Sequence, residues 1–295
     1  MSRRTTATLV ALALLVAGVV GASAWSQRSQ PGEVDLTAGT YGGSYAGHGM
    51  PPVSRSLDRA ASEAAGGARA TAGPLAGRTV VIDPGHQLGN HNYPRKINRM
   101  VPAGGFKKPC NTTGTATGGG FPEATMAWKV SRLLRARLHD LGARVILTRD
   151  SNRQDRWGPC VDVRGRAGNK ANADLKVSIH GDGSYSSDAH GFHVIAPTDR
   201  KPWTHDIYKS SRRLALRERA ALRGAGVPVA NYIAGGDGLD FRSDLGTLNL
   251  SNIPTVMVEL GNMRDSRDAH RMTTTKGRAT YARALTSGVR SFLGR

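Results

Sequence analysis

From Leu75 onward, short runs of aliphatic and β-branched residues alternate with longer stretches in which apolar residues recur every three or four positions. The runs at 78–83 (RTVVID), 143–148 (ARVILT), 175–180 (LKVSIH), 191–196 (GFHVIA) and 255–259 (TVMVE) predict five largely buried strands. Between them, Met126, Val130, Leu133, Leu134, Leu138 and Leu141 mark one helix, which Gly142 stops. Further helices are expected at about 160–173 and 205–222, and a last one carries Ala282, Leu285, Val289 and Phe292. Strands alternating with helices predict a single α/β domain around a mainly parallel sheet flanked by helices.

Residues 1–74 follow a different pattern. Arg3 and Arg4 precede an apolar run over 7–20, and the small residues Ala22, Ser23 and Ala24 follow it. That is the layout of a secretory signal at 1–24, either cleaved or kept as a membrane anchor. Residues 25–74 are rich in Gly, Ala, Ser and Pro without apolar periodicity, which reads as a disordered tether. The folded domain is therefore expected over 75–295 and outside the cytoplasm, extracellular or in the cell wall. Membrane attachment would come only through an uncleaved first segment. No repeat at 20–50 residues indicates a tandem binding array.

Charge narrows the partners. The chain carries 41 Lys and Arg against 22 Asp and Glu, and 35 and 18 of these fall in 75–295, a net of +17 there. Such a surface attracts polyanions. Export argues against nucleic acid and leaves anionic wall polymers as the expected class. Two cysteines exclude both a disulfide-dense scaffold and a multi-cysteine metal cluster. In an exported chain Cys110 and Cys160 are expected to pair, closing a loop of about 50 residues. A monomer is expected.

In a parallel α/β sheet, ligands bind just beyond the carboxyl ends of the strands. His86 follows the first strand through the turn Asp83-Pro84-Gly85, His180 closes the 175–180 strand, and Glu259 closes the 255–259 strand. Glu123 falls on the inward stripe of its helix, one turn before Met126 and just after Pro122. A carboxylate there needs a cation or hydrogen-bond donors. Two histidines and one carboxylate with an open fourth position form a catalytic zinc arrangement, predicted here as His86, Glu123 and His180. Zinc would activate water, and Glu259 would be the base that takes its proton. No H-E-x-x-H pair is present. The other histidines, His193 among them, lack strand-end placement and read as bland. Arg242 and Asp244, among glycines in 235–249, read as part of a substrate loop or a plain connecting turn, with Asn249 as a further candidate contact.

The blocks Val81-Ile82-Asp83-Pro84-Gly85-His86, Glu123, Ser178-Ile179-His180 and Val258-Glu259-Leu260-Gly261-Asn262, in this order, resemble the signature of zinc-dependent N-acetylmuramoyl-L-alanine amidases of the amidase-3 type. Lys108-Pro109-Cys110, Gly158-Pro159-Cys160 and the stretch from Asp244 to Asn249 bring the resemblance nearest to actinobacterial single-domain members. It covers about 75–295 and implies one zinc on His86, Glu123 and His180, with Glu259 catalytic. It also implies peptidoglycan as substrate, cut at the amide between N-acetylmuramic acid and the L-alanine of the stem peptide. Gly181-Asp182 stands where Ala-Asn is commoner. Two other functions use the same residues or the same charge: a zinc peptidase acting within stem peptides, and a non-catalytic wall-binding protein.

Overall fold

The computed structural model describes residues 73–294; the expectations for 1–24 and for nearly all of 25–74 lie outside the described residues. Leu75 is fully buried, and its N–H donates to the Leu141 carbonyl at 2.9 Å.

The predicted alternation becomes β1 (Thr79–Pro84), a short helix α1 (Pro94–Ile97), a hairpin of β2 (Met100–Pro102) and β3 (Lys107–Pro109), α2 (Glu123–Asp140) and β4 (Arg144–Leu147). Next come α3 (Val161–Arg166), β5 (Leu175–Asp182), β6 (His193–Pro197), α4 (Tyr208–Gly224), β7 (Leu239–Arg242) and α5 (Gly246–Asn249). The chain closes with β8 (Thr255–Asn262), α6 (Ser266–Thr273) and α7 (Thr275–Phe292). Six strands form one sheet in the order β4-β1-β5-β8-β6-β7, parallel throughout except for the antiparallel β6–β8 pair.

Two expectations need correction. The helix expected over about 160–173 ends at Arg166. Gly168 has φ of +88°, and a Cβ there would sit 2.5 Å from Val81 Cγ2, so the chain turns where it presses on the sheet. The 235–249 segment is not one loop, because it contains β7 and α5. A four-residue strand and a four-residue helix three residues later give too little periodicity to read.

Period-two alternation separates the two faces of the sheet. Val80, Ile82, Val177, Ile179, Val256 and Val258 belong to the main core with Leu134, Leu214 and Leu285 from α2, α4 and α7. Asp83, Ser178, His180, Met257 and Glu259 alternate with them and occupy the opposite face. That face is covered by short helices and loops rather than by long helices.

One core group runs against this pattern. Glu218 of α4 is fully buried beside Gly288 of α7, and neither carboxylate oxygen has a hydrogen-bond partner among the described residues. Burial pushes its carboxyl well above the ordinary value near 4.5. A carboxyl raised by folding holds its proton more tightly in the native state. Stability is therefore full below the ordinary value and falls as pH rises through the raised one. Glu218→Gln removes the ionisable group, so it should flatten that alkaline loss and gain at least about 1 kcal/mol at its upper end, where the native carboxyl would be an unpaired buried charge costing several kcal/mol. Urea midpoints at several pH values check this; parallel curves for the two proteins would contradict it.

Candidate metal centre and active site

The first strand ends in a turn that aims His86 into the site. His86 takes a left-handed φ of +53°, uncommon for a side-chain-bearing residue, so the surroundings must hold it there. Two buried arginines do so. Arg164 of α3 donates to the Asp83 carboxylate at 2.6 Å and to the Pro84 and His86 carbonyls at 2.6 Å each. Arg149 donates to the carbonyls of Pro84, Gly85 and Ala124 at 3.1, 3.2 and 2.8 Å, tying the turn to the first turn of α2.

Asp83 is the counter-charge beneath this turn. It also accepts from Ser178 Oγ at 2.6 Å and Thr148 Oγ1 at 2.5 Å. Burial alone would raise its carboxyl, but Arg164 and the two hydroxyls outweigh it and hold the group well below the usual carboxylate range. Lys176 lies fully buried on the same face and donates to the Arg164 and Gly165 carbonyls at 3.0 and 2.6 Å. Burial brings its ammonium down to about 7, against the attraction of Asp83. Motif reading passed over Arg149, Arg164 and Lys176. The signal was an acid and a base inside apolar strands, which demand buried partners.

His86, Glu123 and His180 converge. One donor atom from each lies within 4.8 Å of the other two, a grouping that could hold a metal ion. His86 Nε2 is 3.1 Å and His180 Nδ1 2.9 Å from Glu123 Oε1. Ligand atoms on a tetrahedral zinc with bonds of about 2.0–2.1 Å are about 3.3 Å apart, so the spacing fits that ion. His86 Nδ1 lies 3.0 Å from the Thr112 carbonyl, which can only accept. An N–H at Nδ1 donates to that carbonyl and orients the ring, so that Nε2, the nitrogen facing Glu123, is the one that would ligate a metal. The second oxygen of Glu123 accepts from Thr115 N–H at 2.9 Å. Two glycines make room for the cluster. A Cβ at Gly85 would meet the His180 ring at 2.6 Å, and one at Gly114 would meet Glu123 Oε2 at 2.8 Å.

Glu259 lies directly opposite His180 in the β5–β8 register, on the same face. Its Oε2 is shut off from solvent and has no hydrogen-bond partner among the described residues. Burial, reinforced by Glu123 and Asp182, raises its carboxyl well above the ordinary range. A nearby cation would favour the charged form. On its other side Glu259 pairs in register with His193 at the start of β6. His193 is buried and its Nδ1 is also unpartnered. Sequence position hid this neighbour: β6 runs antiparallel to β8, so its first residue, not its last, reaches the level of Glu259.

The remaining candidates occupy one rim. Arg242 grips Asp244 through two hydrogen bonds of 2.8 Å, and Lys108 Nζ donates to the Asp244 carbonyl at 2.9 Å. Because β7 also runs against β8, Arg242 sits on the Glu259 face but towards the far end of the strand. Asn249 is buried and donates to the carbonyls of Ala103 and Ser243 at 2.9 and 2.8 Å, tying α5 to the β2–β3 hairpin. Between hairpin and α5 lies a cavity of about 180 Å³ lined by His86, His180, Lys108, Asn111 and Thr247, among others. Asp182, in the Gly-Asp variant of the motif, accepts from Tyr232 Oη at 2.8 Å.

Cys110 and Cys160 form a disulfide, as expected, buried with Val101. It fixes the loop carrying Thr112 to the residue preceding α3, which carries Arg164. Replacing both cysteines with Ser should lower stability by up to about 4 kcal/mol in the chain-entropy picture for a 50-residue separation. Denaturant midpoints measure this, and an unchanged midpoint would contradict it.

A half-buried His-Glu-His cluster that could hold a metal ion, beside a second glutamate whose Oε2 is unpartnered, lies at the carboxyl edge of a mainly parallel sheet, an arrangement suited to hydrolysis. The comparisons identify the family. The N-acetylmuramoyl-L-alanine amidase model, Amidase_3, matches residues 80–291, and the chain belongs to that family. It is 42% identical over 240 residues to the N-acetylmuramoyl-L-alanine amidase Rv3717 of Mycobacterium tuberculosis, covering 80% of this chain and 95% of that protein. Among solved structures, the amidase Ami1 of Mycobacterium abscessus aligns with a TM-score of 0.68 and 42% identity, over 74% of this chain and all of that one. Ami1 of Mycobacterium smegmatis aligns at 0.69 and 38%, over 75% of this chain and 98% of that one.

Proposed function

We propose that this amidase hydrolyses the amide between the lactyl group of N-acetylmuramic acid and the L-alanine of the stem peptide, with one zinc held by His86, Glu123 and His180. The convergence of those three side chains within 4.8 Å carries the reading. Zinc, when bound, supplies a Lewis acid that polarises a carbonyl and acidifies water towards a pKa of about 7.

The chain's own groups do the rest. Thr112 fixes the His86 tautomer through its carbonyl, and Arg164 with Arg149 holds the turn that presents the ring. Glu259, next to His180 in register, accepts the proton of the attacking water and passes it to the leaving nitrogen. The departing group is the L-alanine amine. Lys108, Asn111 and Thr247 line the cavity beside the histidines and would meet the substrate. Arg242 and Asp244, locked together, would form its rim. We place the enzyme outside the cytoplasm, on the strength of the signal-like sequence at 1–24 and a substrate that lies there.

Removing the metal tests the cofactor. Chelator-treated protein should lose turnover on purified peptidoglycan and regain it with one equivalent of zinc per chain. Full activity with no detectable metal would overturn the assignment.

A further inference from the structure

The three long helices pack side by side over one face of the sheet, with α7 between α2 and α4. Their outer surfaces carry twelve exposed Lys and Arg side chains, including Arg132, Arg213, Arg217, Arg283 and Arg290. Of the three acids in these helices, Glu123 and Glu218 are buried, so Asp140 at the end of α2 is the one exposed carboxylate. None of the twelve makes an ion pair among the described residues. The excess charge of the domain is therefore concentrated on this face, with twelve exposed cations against one exposed carboxylate in the three helices.

We propose that this three-helix face is a docking surface for a linear phosphate-bearing polymer of the cell envelope. Nine of the twelve cations are arginines, whose planar forks pair with phosphate through two hydrogen bonds. A helix of 18 residues is about 27 Å long and neighbouring axes lie about 8–10 Å apart, so the platform spans many units of such a chain. A bilayer surface fits less well, because Leu133 and Leu216 are the large apolar side chains exposed on the helices, and the neighbouring rings of Phe241 and Phe292 lie under the guanidinium groups of Arg212 and Arg213. Rings already covered by arginine make a poor stacking platform for single-stranded nucleic acid. His180 and Glu259 lie on the opposite face of the sheet and Glu123 is buried in the first turn of α2, away from its exposed cations, so a docked polymer leaves the cleft open. The envelope location rests on the proposed function, but the binding itself is measured without turnover.

The test is equilibrium binding of the full chain, in chelator, to a fluorescent poly(glycerol phosphate). About six phosphate contacts on a flexible polyanion predict a roughly 300-fold loss of affinity between 50 and 200 mM salt. Arg213→Glu, Arg217→Glu and Arg290→Glu combined should weaken binding at least about 100-fold at low salt. The combination Arg95→Glu, Lys96→Glu and Lys170→Glu makes the same change in net charge away from the three helices and should cost less than about 5-fold. The corresponding Gln variants of the helix triple, which disturb folding less, should still cost at least about 10-fold. Equal losses for the two Glu triples would mean that net charge alone attracts the polymer, and the proposal falls. It also falls if phosphatidylglycerol vesicles or duplex DNA bind at the same salt more tightly than the polymer does.

Discussion

Glu259→Gln should slow turnover on peptidoglycan by about 10²–10⁴, the range typical for losing a general base, while the folded protein keeps its metal. The substitution preserves side-chain volume at the register position facing His180 and His193 and removes only the capacity to take a proton. Glu259 makes no hydrogen bond through Oε2 that the fold depends on. Removing its charge from a buried site should therefore leave stability unchanged or slightly raised. The two readouts separate the roles. Bound zinc at one equivalent with turnover gone marks a proton-transfer group, whereas loss of both together would make Glu259 part of the metal site.

Replacing a ligand should give the opposite pattern. His86→Ala and His180→Ala each remove one of three protein donors, and both should lose stoichiometric zinc together with activity. Glu123→Gln should weaken the metal without abolishing the fold. Glu123 is the carboxylate that both histidines face at 2.9–3.1 Å, and burial would raise it were it not for those rings, which hold it well below its ordinary range. Metal analysis of the three purified variants decides the matter. A full equivalent of zinc in folded His86→Ala and His180→Ala would move the site elsewhere.

The sheet, its long helices and the converging His-Glu-His set were legible in sequence because each has a strong local cause. The runs TVVI, VSI and VMV can be satisfied only by burial on both faces, and the stripe from Met126 to Leu138 has a single period. Topology was less visible. Nothing in GFHVIA reveals that β6 enters against β8, yet that reversal brings His193 beside Glu259 and sets Arg242 further along the same face. The supporting network was hidden for a different reason. Arg149, Arg164 and Lys176 have no motif of their own and are defined by main-chain carbonyls that only the fold brings together. Asn249 shows the same limit: its two amide bonds to Ala103 and Ser243 join segments far apart in the chain.

The central claim is a metal-dependent cut at one specific amide. Its most direct test is digestion of purified sacculi by the full chain with and without chelator, followed by mass analysis of the soluble and insoluble products. The account predicts stem peptides that begin with a free L-alanine amine, glycan strands of undiminished length ending their lactyl groups in carboxylates, and no release in chelator. Peptides cut between amino acids within the stem, or release that chelator does not stop, would contradict it.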